Sequence, residues 1–537
     1  MYPYHSSTFG RASQDLNNMS DLKDEQVKET VTTTDVEKAF DGSSDKTASV
    51  VEEQVQTDPN IVDWDGPDDL SNPKNWTTKR KVANLSIVIF LCLVSPLASS
   101  MFAPGVPDVM KEFHTDSDII AGLVVSVYIL GYAVGPLLIS PASEIVGRKP
   151  VYMVCNVMFL IFTIACAVAG SMNQLIVFRF FAGAFGVCPV TLGGASIADL
   201  IVPEKRGIAL SLFALGPLLG PVIGPIAGAY LAAAMGWRWT FWIIAMAVSG
   251  TEIVEGDYTN ICQWGAGGVA HLIFTKETFA TVLLERKTQA LRKSTDNFDL
   301  RSRLDSGLSP KQAITRALVR PMKLLTRSPI VTLMSIYTAI IYGILYLLFT
   351  TYTFVYEGQY GFSSSTVGLS YISTGIGFFV GLAFIGGTAD RIFKALKEKN
   401  NGVAKPEYRL PPLLIGAWFV PAGLFLYGWT AQYHIQWAVP MLGGLLFGVG
   451  MIASLLCLQN YLIDAFGMYA ASALAANTLL RSIVGGLLPL AGLKMYNALG
   501  LGWGNSLIGF LALAMIPIPF VFYKYGEAIR NKYPVKL

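Results

Sequence analysis

Charge is the first thing this sequence is short of. Only 14% of its 537 residues are Asp, Glu, Lys or Arg and 53% are hydrophobic, where an ordinary soluble protein carries roughly a quarter charged residues. Mean hydropathy is +0.48. This argues against a soluble multidomain enzyme, although length alone would suggest about three or four domains. A formal net charge of only +3, with no basic stripe, argues against a nucleic-acid partner. Paired cysteines are missing as well. Cys92, Cys155, Cys166, Cys188, Cys262 and Cys457 form no C-x-x-C and lie in or beside apolar segments, as buried thiols do rather than disulfide or zinc ligands. The four histidines, His5, His114, His271 and His434, show no metal-ligand spacing. No phosphate-cradling G-x-x-x-x-G-K-[ST] loop occurs, which argues against direct ATP drive. No nucleophile, metal or acid–base constellation stands out, so no catalytic residue, metal or cofactor is expected. The polar N-terminal residues give no expectation of a cleavable signal peptide.

What the sequence has is long apolar runs, each near the roughly 20 residues that a bilayer-spanning helix needs. Six are expected at 82–104, 119–140, 151–170, 174–199, 208–234 and 238–274, and six more at 329–355, 365–388, 411–431, 435–460, 469–493 and 503–523. Residues 1–80 are rich in Ser, Thr, Asp, Glu and Lys and poor in aromatics, which is the composition of a disordered tail. The hydrophilic stretch 275–328 concentrates cations, among them Lys276, Arg286, Lys287, Arg292, Arg303 and Arg327. The loop after the eighth run holds Arg391, Lys394, Lys397, Lys399, Lys405 and Arg409. The opposite loops hold little beyond Lys111, Arg238 and Lys494. The positive-inside rule therefore places the tail, the central loop and the C-terminal tail at 524–537 in the cytosol. The sequon-like triplets at Asn18, Asn75 and Asn84 are then cytosolic or within a span, and none is expected to be glycosylated.

One segment breaks the pattern. Thr251–Gly268 puts Glu252, Glu255 and Asp257 at membrane depth, where an acidic side chain costs roughly 2.5–3.5 kcal/mol on insertion scales. Without it, FWIIAMAVSG joins VAHLIF as a span of ordinary length. Gly250-Thr251, Thr259-Asn260 and Ala266-Gly267 can encode a splice donor, a branch sequence and an acceptor, so the segment reads as a retained intron. A re-entrant insertion and an outer-leaflet loop are the rival readings.

Four motifs carry mechanism. Between the second and third runs, Gly135, Pro136, Pro141, Ser143 and Glu144 lead into Gly147-Arg148-Lys149. Gly147 permits a tight turn, and the cations can pair with Glu144 or a helix end. Such a charge relay can lock one bundle against the other and break on rocking; plain positive-inside anchoring is the bland alternative. Arg179 lies in the fourth run, in RFFAGAFG, as a proton-coupling candidate or as a cation snorkelling to the interface. In the fifth run Gly216, Gly220, Gly224 and Gly228 recur every four residues, with Pro217, Pro221 and Pro225 following three of them. Glycines at that period let helices approach closely, and the prolines loosen the backbone hydrogen bonding. Arg481 in the eleventh run has Asn477 one turn earlier as a partner. The aromatics of the seventh run, Tyr346 among them, can line a lipophilic cavity or serve as ordinary packing. No Asp or Glu sits in the middle of a well-formed run, so the proton carrier is not named.

The loop from Gly135 to Lys149 resembles the cytosolic loop of the major facilitator superfamily, in the form found in its fungal drug:proton antiporters. Ser140 and Ile145 depart from the general pattern. A weaker echo, Gly386-Gly387-Thr388-Ala389-Asp390-Arg391, follows the eighth run. The Gly-Pro run of the fifth segment resembles the antiporter motif of drug-exporting members. Trp64–Trp76, the stretch from Asp464 to Pro489, and Lys276–Lys287 resemble the same group, with Lys276 and Phe279 where Pro and Tyr are usual. The resemblance implies an all-α integral membrane protein with the major facilitator fold, two six-helix bundles (81–274 and 329–523) related by pseudo-twofold symmetry. It implies a monomeric multidrug efflux transporter of a fungal plasma membrane, or alternatively of the vacuolar membrane. Its partners would be small lipophilic substrates, protons and the lipid bilayer, with the proton gradient in place of a cofactor. A narrow metabolite or polyamine exporter, a nutrient facilitator and a transporter-like sensor are the other readings.

Overall fold

A computed structural model describes residues 60–202, 205–250, 276–305, 307 and 309–533. The anomalous Thr251–Gly268 segment, Cys262 and most of the expected tail lie outside the described residues. Among the described residues, ten helices are long and apolar enough to cross a membrane. Two of the expected spans do not count separately. The sixth is described only as Arg238–Gly250. The eleventh and twelfth form one run, Ala470–Lys532, which turns at Gly500 (φ 74°, ψ 170°).

The spans are longer than the apolar runs. The first begins at Thr78, the second covers Asp118–Ile145, and the seventh covers Pro329–Tyr360. The eighth runs on to Lys399, and the last helix continues to Lys532, past the boundary expected at 523. Lys, Arg and Glu are good helix formers, so a helix need not stop where its apolar face does. Local signals set several starts. Ser328 accepts a bond from the Val331 N–H, with Pro329 following it in the first turn. Gly147 (φ 107°) makes the turn between spans two and three.

The central loop is not irregular. It holds two helices, Ala280–Thr295 and Pro310–Arg327, the second opened by a capping box between Ser309 and Gln312. Nor is the chain disordered up to residue 80. Ile61–Val62 pairs in parallel with Arg301–Ser302, and Lys287 Nζ binds Asp65 Oδ1 at 2.6 Å. Asp63 also pairs with Arg303. Asn75 Nδ2 donates to the Pro67 and Asp69 carbonyls. Composition hid this order because the partners of 60–65 lie in the central loop, far along the chain. That clasp and the two loop helices mark one end of the bundle, called here the linker end.

Spans five and eight, one from each half, meet toward the far end. A Cβ on Gly368 would stand 2.7 Å from the Pro225 carbonyl oxygen, and one on Gly375 would stand 2.3 Å from Val222 Cγ1. Toward the linker end the pair separates. Ile208 and Leu212 of span five are exposed, and Gly386 and Gly387 of span eight have nothing within 4 Å of a Cβ. Spans two and eleven likewise touch at Gly122 and Pro489, with Asn497 Nδ2 bonded to Asp118 Oδ2 at 2.8 Å beyond them.

Candidate functional site

The glycines of span five all face span one. Gly216 abuts Cys92 and Leu93, Gly220 abuts Pro96 and Leu97, Gly224 abuts Ser100, and Gly228 abuts Met101. A Cβ on Gly228 would lie 1.8 Å from the Met101 carbonyl oxygen, so the contact is backbone against backbone. Pro221 and Pro225 are buried and Pro217 is exposed. With Pro225 and Val222 against span eight, the Gly-Pro helix is fixed to span one on one side and meets the other half on another.

Arg179 does not snorkel. It is 1% exposed. Its Nη2 donates to the Ser99 carbonyl at 3.1 Å and the Val125 carbonyl at 3.3 Å. The guanidinium carbon lies 4.7, 5.5 and 5.7 Å from the ring centroids of Phe102, Tyr128 and Phe241. Among the described residues Nε and Nη1 have no hydrogen-bond partner and no carboxylate pairs with this cation. Rings and carbonyls therefore hold a charge that still offers two N–H directions.

Ser99 was not singled out in the sequence, yet it joins the two halves. Its hydroxyl donates to the Pro96 carbonyl at 2.6 Å and stands 3.1 Å from the Tyr346 hydroxyl of span seven. Tyr346 is 2% exposed and packs edge-on to Phe349. It thus bridges to the residue whose carbonyl receives Arg179. The pairing expected between Asn477 and Arg481 is absent. Asn477 Oδ1 and Arg481 Nε both lack a partner among the described residues, and Arg481 instead lies over the Tyr342 ring at 4.7 Å.

At the linker end the loop motif forms an ion-pair cluster, called here the first lock, whose partners lie in the first half and the central loop, not across the two bundles as expected. Glu144 is exposed and forms no ion pair among the described residues. Arg148 is 8% exposed and its Nε meets Asp199 Oδ2 at 3.1 Å, while Nη1 donates to Ser143 Oγ at 2.6 Å. Glu277, 5% exposed, accepts from the Arg148 and Lys149 backbone N–H groups at 2.9 and 3.1 Å. That places a carboxylate on the N-terminus of span three, where the helix dipole favours it. Gly147 is required there, because a Cβ would fall 2.2 Å from Glu277 Oε2. Phe279 lies under the Arg148 guanidinium at 4.5 Å. Glu144 fails as the partner because it precedes the turn on an exposed position of span two, while its neighbour Ser143 is the buried one that Arg148 reaches. Gly135 of the same stretch packs on the Ala184 carbonyl of span four. Pro136 and Pro141 lie inside the span-two helix.

The second half repeats the lock with Arg409, not with the echo's Arg391, which is exposed and forms no ion pair among the described residues. Arg409 Nε meets Asp464 Oδ2 at 2.8 Å, and Nη1 meets Asp390 Oδ1 at 3.2 Å. Its guanidinium lies 4.3 Å over Phe393. Glu407, 4% exposed, binds Arg530 Nη1 at 2.9 Å. Five cysteines among the described residues are buried and free, and no group of three metal-ligating side chains occurs there.

The Major Facilitator Superfamily profile matches residues 88–254 and 264–489, with a break inside the anomalous segment. The chain is 53% identical over 483 residues to the MFS-type transporter tndD of Aspergillus flavipes, covering 89% of this chain and 87% of that one. It is 49% identical over 494 residues to the efflux pump radE of Floropilus chiversii, covering 91% and 89%. Among solved structures, the D-xylose-proton symporter aligns at a TM-score of 0.59 and 16% identity, over 81% of this chain and 96% of that one. The last likeness speaks to the fold alone. The chain belongs to the major facilitator superfamily and is a multi-pass membrane transporter, not an enzyme.

Proposed function

We propose that this transporter exports lipophilic or amphipathic small molecules, such as drugs, toxins or secondary metabolites, in exchange for protons. The observation that carries the reading is span five. Its four glycines seat it on span one, while Pro225 and Val222 meet span eight, so the Gly-Pro helix sits where the halves must part for a substrate to leave at the far end. The name of the relative from Floropilus chiversii, an efflux pump, points the same way.

In this reading substrate enters between spans five and eight from the linker end, and rocking of the halves reverses which end is closed. The Arg148–Asp199 and Arg409–Asp464 pairs hold the linker-end geometry and exchange partners during rocking. Arg179 is the coupling residue. A cation in a low-dielectric site lowers the pKa of any acid that comes beside it, and its free N–H groups offer the place. The cations of the central loop support a cytosolic linker end, and the membrane in this reading is the fungal plasma membrane, with the vacuolar membrane as the alternative.

Efflux of a dye and an azole from pump-deleted yeast expressing the chain, with and without a protonophore, tests this. Efflux should collapse with the protonophore and with Arg179→Gln at equal surface expression. Efflux indifferent to the protonophore would overturn the coupling, and concentration-driven uptake would overturn export.

A further inference from the structure

Arg179 and Arg481 both lie inside spans, and they are held differently. Arg179 is sealed among two carbonyls and three rings. Arg481 of span eleven (Ala470–Leu487) has one ring, Tyr342, at 4.7 Å. Among the described residues its Nε is buried without a partner and no carboxylate pairs with it. It lies about 16 Å along the helix from Ala470 at 1.5 Å per residue, near the middle of a roughly 30 Å hydrocarbon core. A side chain at that depth does not reach the water beyond the linker end. A cation inside a span is ordinarily paired, or it marks the path of a substrate or an ion.

The face that carries Arg481 looks onto the seam between the halves. One turn on, a Cβ on Gly485 would stand 2.9 Å from Tyr342 Cδ1 and 3.4 Å from Ile129 Cγ2 of span two. Tyr342 packs 5.2 Å from Tyr346, whose hydroxyl meets Ser99 of the other half. Arg481 itself is half-buried, so its charge is not sealed off from this seam.

Two further polar groups beside it lack partners. Asn477, one turn before Arg481 on the same face, is 2% exposed, and its Oδ1 has no partner among the described residues. Ser335 of span seven is fully buried, and its Oγ has none either. Ser335 belongs to the stripe Val331, Ser335, Thr338 and Tyr342. Val331 shares a buried cluster with Ala473 and Ala476 of span eleven, and Tyr342 lies under Arg481, so the stripe faces span eleven at the level of Asn477. Buried polar groups are ordinarily satisfied, and here three are left over in one place.

We infer that Arg481, Asn477 and Ser335 form a subsite for an anionic group of the cargo, so that this transporter carries amphipathic organic acids. The guanidinium supplies the charge-assisted bond to the acidic oxygen, and the Ser335 hydroxyl can donate to the same anion. Asn477 Oδ1 only accepts, so it suits a hydroxyl or N–H of the cargo beside its acidic group. The Tyr342 ring gives the apolar part a flat wall.

The inference rests on the export reading, and the test separates the two. Binding to the purified full chain, in nanodiscs of neutral lipid and without any gradient, is measured by fluorescence for naphthylglycolate, its methyl ester and naphthylacetate. Naphthylglycolate should bind on the order of tenfold to a hundredfold more tightly than its ester, as a charge-assisted hydrogen bond provides. The ester is the more lipophilic, so partition into the lipid works against this result. Arg481→Gln should erase the difference, Arg481→Lys should keep part of it, and Asn477→Leu should bring naphthylglycolate down to naphthylacetate. Equal affinity for acid and ester in the unaltered chain would overturn the inference, with no variant needed. A preference for the acid that survives Arg481→Gln in monodisperse protein would overturn it as well. Azole efflux from yeast by a chain that shows no acid preference sinks the subsite and leaves export standing. Acid binding lost with Arg481→Gln, in a chain that moves neither azole nor acid outward, upholds the subsite and sinks export.

Discussion

The two linker-end locks are the same device built twice, with different energetics. In each half an Arg beyond the second span's end pairs with an Asp at the end of the fourth span of that half, Arg148 with Asp199 and Arg409 with Asp464. In each the guanidinium lies on a Phe ring. In each a buried Glu ties the neighbouring turn to another segment, Glu277 to the start of span three and Glu407 to Arg530 of the last helix. Burial separates them. The Arg148 and Asp199 side chains are 10% and 16% exposed, against 24% and 33% for Arg409 and Asp464. The first lock is sealed and incorporates the linker through Glu277. The second is open to water and incorporates the C-terminal helix. Repetition has kept the geometry of the pair and let its solvation diverge, and solvation decides what breaking it costs.

The sharpest break of that comparison removes one carboxylate from each lock. Asp199→Ala leaves a nearly buried guanidinium without its partner, which should cost about 3–5 kcal/mol. Asp464→Ala leaves Arg409 solvated and still paired with Asp390, and should cost about 0–1 kcal/mol. Thermal unfolding in detergent reads the difference. Equal losses would mean that the second lock is sealed in the membrane as well.

A second pair of substitutions asks whether helix approach is as asymmetric as the locks. Span five meets span one through backbone at Gly228, where an added Cβ falls 1.8 Å from the Met101 carbonyl oxygen. In the second half a Cβ on Gly343 of span seven meets only Val484 and Leu488 side chains, at 3.0 Å. Gly228→Ala should destabilise by about 1–3 kcal/mol, as overpacking does, and abolish most efflux. Gly343→Ala should be absorbed by shifts of a few tenths of an ångström in the Val484 and Leu488 side chains. Comparable efflux from the two variants would show that span five yields as readily as span seven.

Much of this frame was legible in the sequence, and the misses share a cause. The apolar runs, the four-residue glycine period and the Gly147-Arg148-Lys149 turn are local patterns, and each marks the right element. The partners are long-range. Nothing in spacing selects Asp199 and Glu277 over the adjacent Glu144, or Arg409 over Arg391, because the choice is made by which helix faces close on one another. Ser99 escaped notice for a related reason. Its backbone carbonyl and a common hydroxyl do the joining, and neither has a sequence signature. The order of residues 60–77 was hidden because composition describes a segment alone, while Asp63 and Asp65 find their cations in the central loop.

A smaller effect separates bonds across the halves from bonds within one. Tyr346 reaches Ser99 of the other half, whereas Tyr337 reaches Ser454 of its own at 3.3 Å. Either Tyr→Phe change removes one hydrogen bond, worth about 0.5–1.5 kcal/mol. Only Tyr346→Phe should shift the balance between the two end-open states, read as changed cysteine accessibility at the far end. Tyr337→Phe should lower thermal stability and leave accessibility unchanged.

The smallest contrast is in pH, and its sign differs between the halves. The hydrogen bond from Arg303 holds the Asp63 carboxyl below its usual range against the opposing desolvation, with the Trp64 backbone N–H and the charges of Arg303 and Lys287 helping. A depressed carboxylate contributes fully above its unfolded pKa of about 4, and that contribution is lost as pH falls through the folded value. Lys405 is the opposite case. The hydrogen bond and charge of Glu527 raise its ammonium above the usual value, so its contribution is fully present below about pH 10.4 and is lost as pH rises through the folded value. Both groups are well solvated, so each change is small. Acid should therefore weaken both the N-terminal clasp and, by protonating Glu527, whose carboxyl Lys405 holds below its usual range, the Lys405–Glu527 bridge, whereas strong alkali should release the bridge and leave the Asp63–Arg303 pair. Hydrogen exchange at 60–65 and at 402–408, compared across pH after correction for intrinsic rates, reads both. Protection at 402–408 that survives in acid would show that the Lys405–Glu527 bridge does not hold that segment.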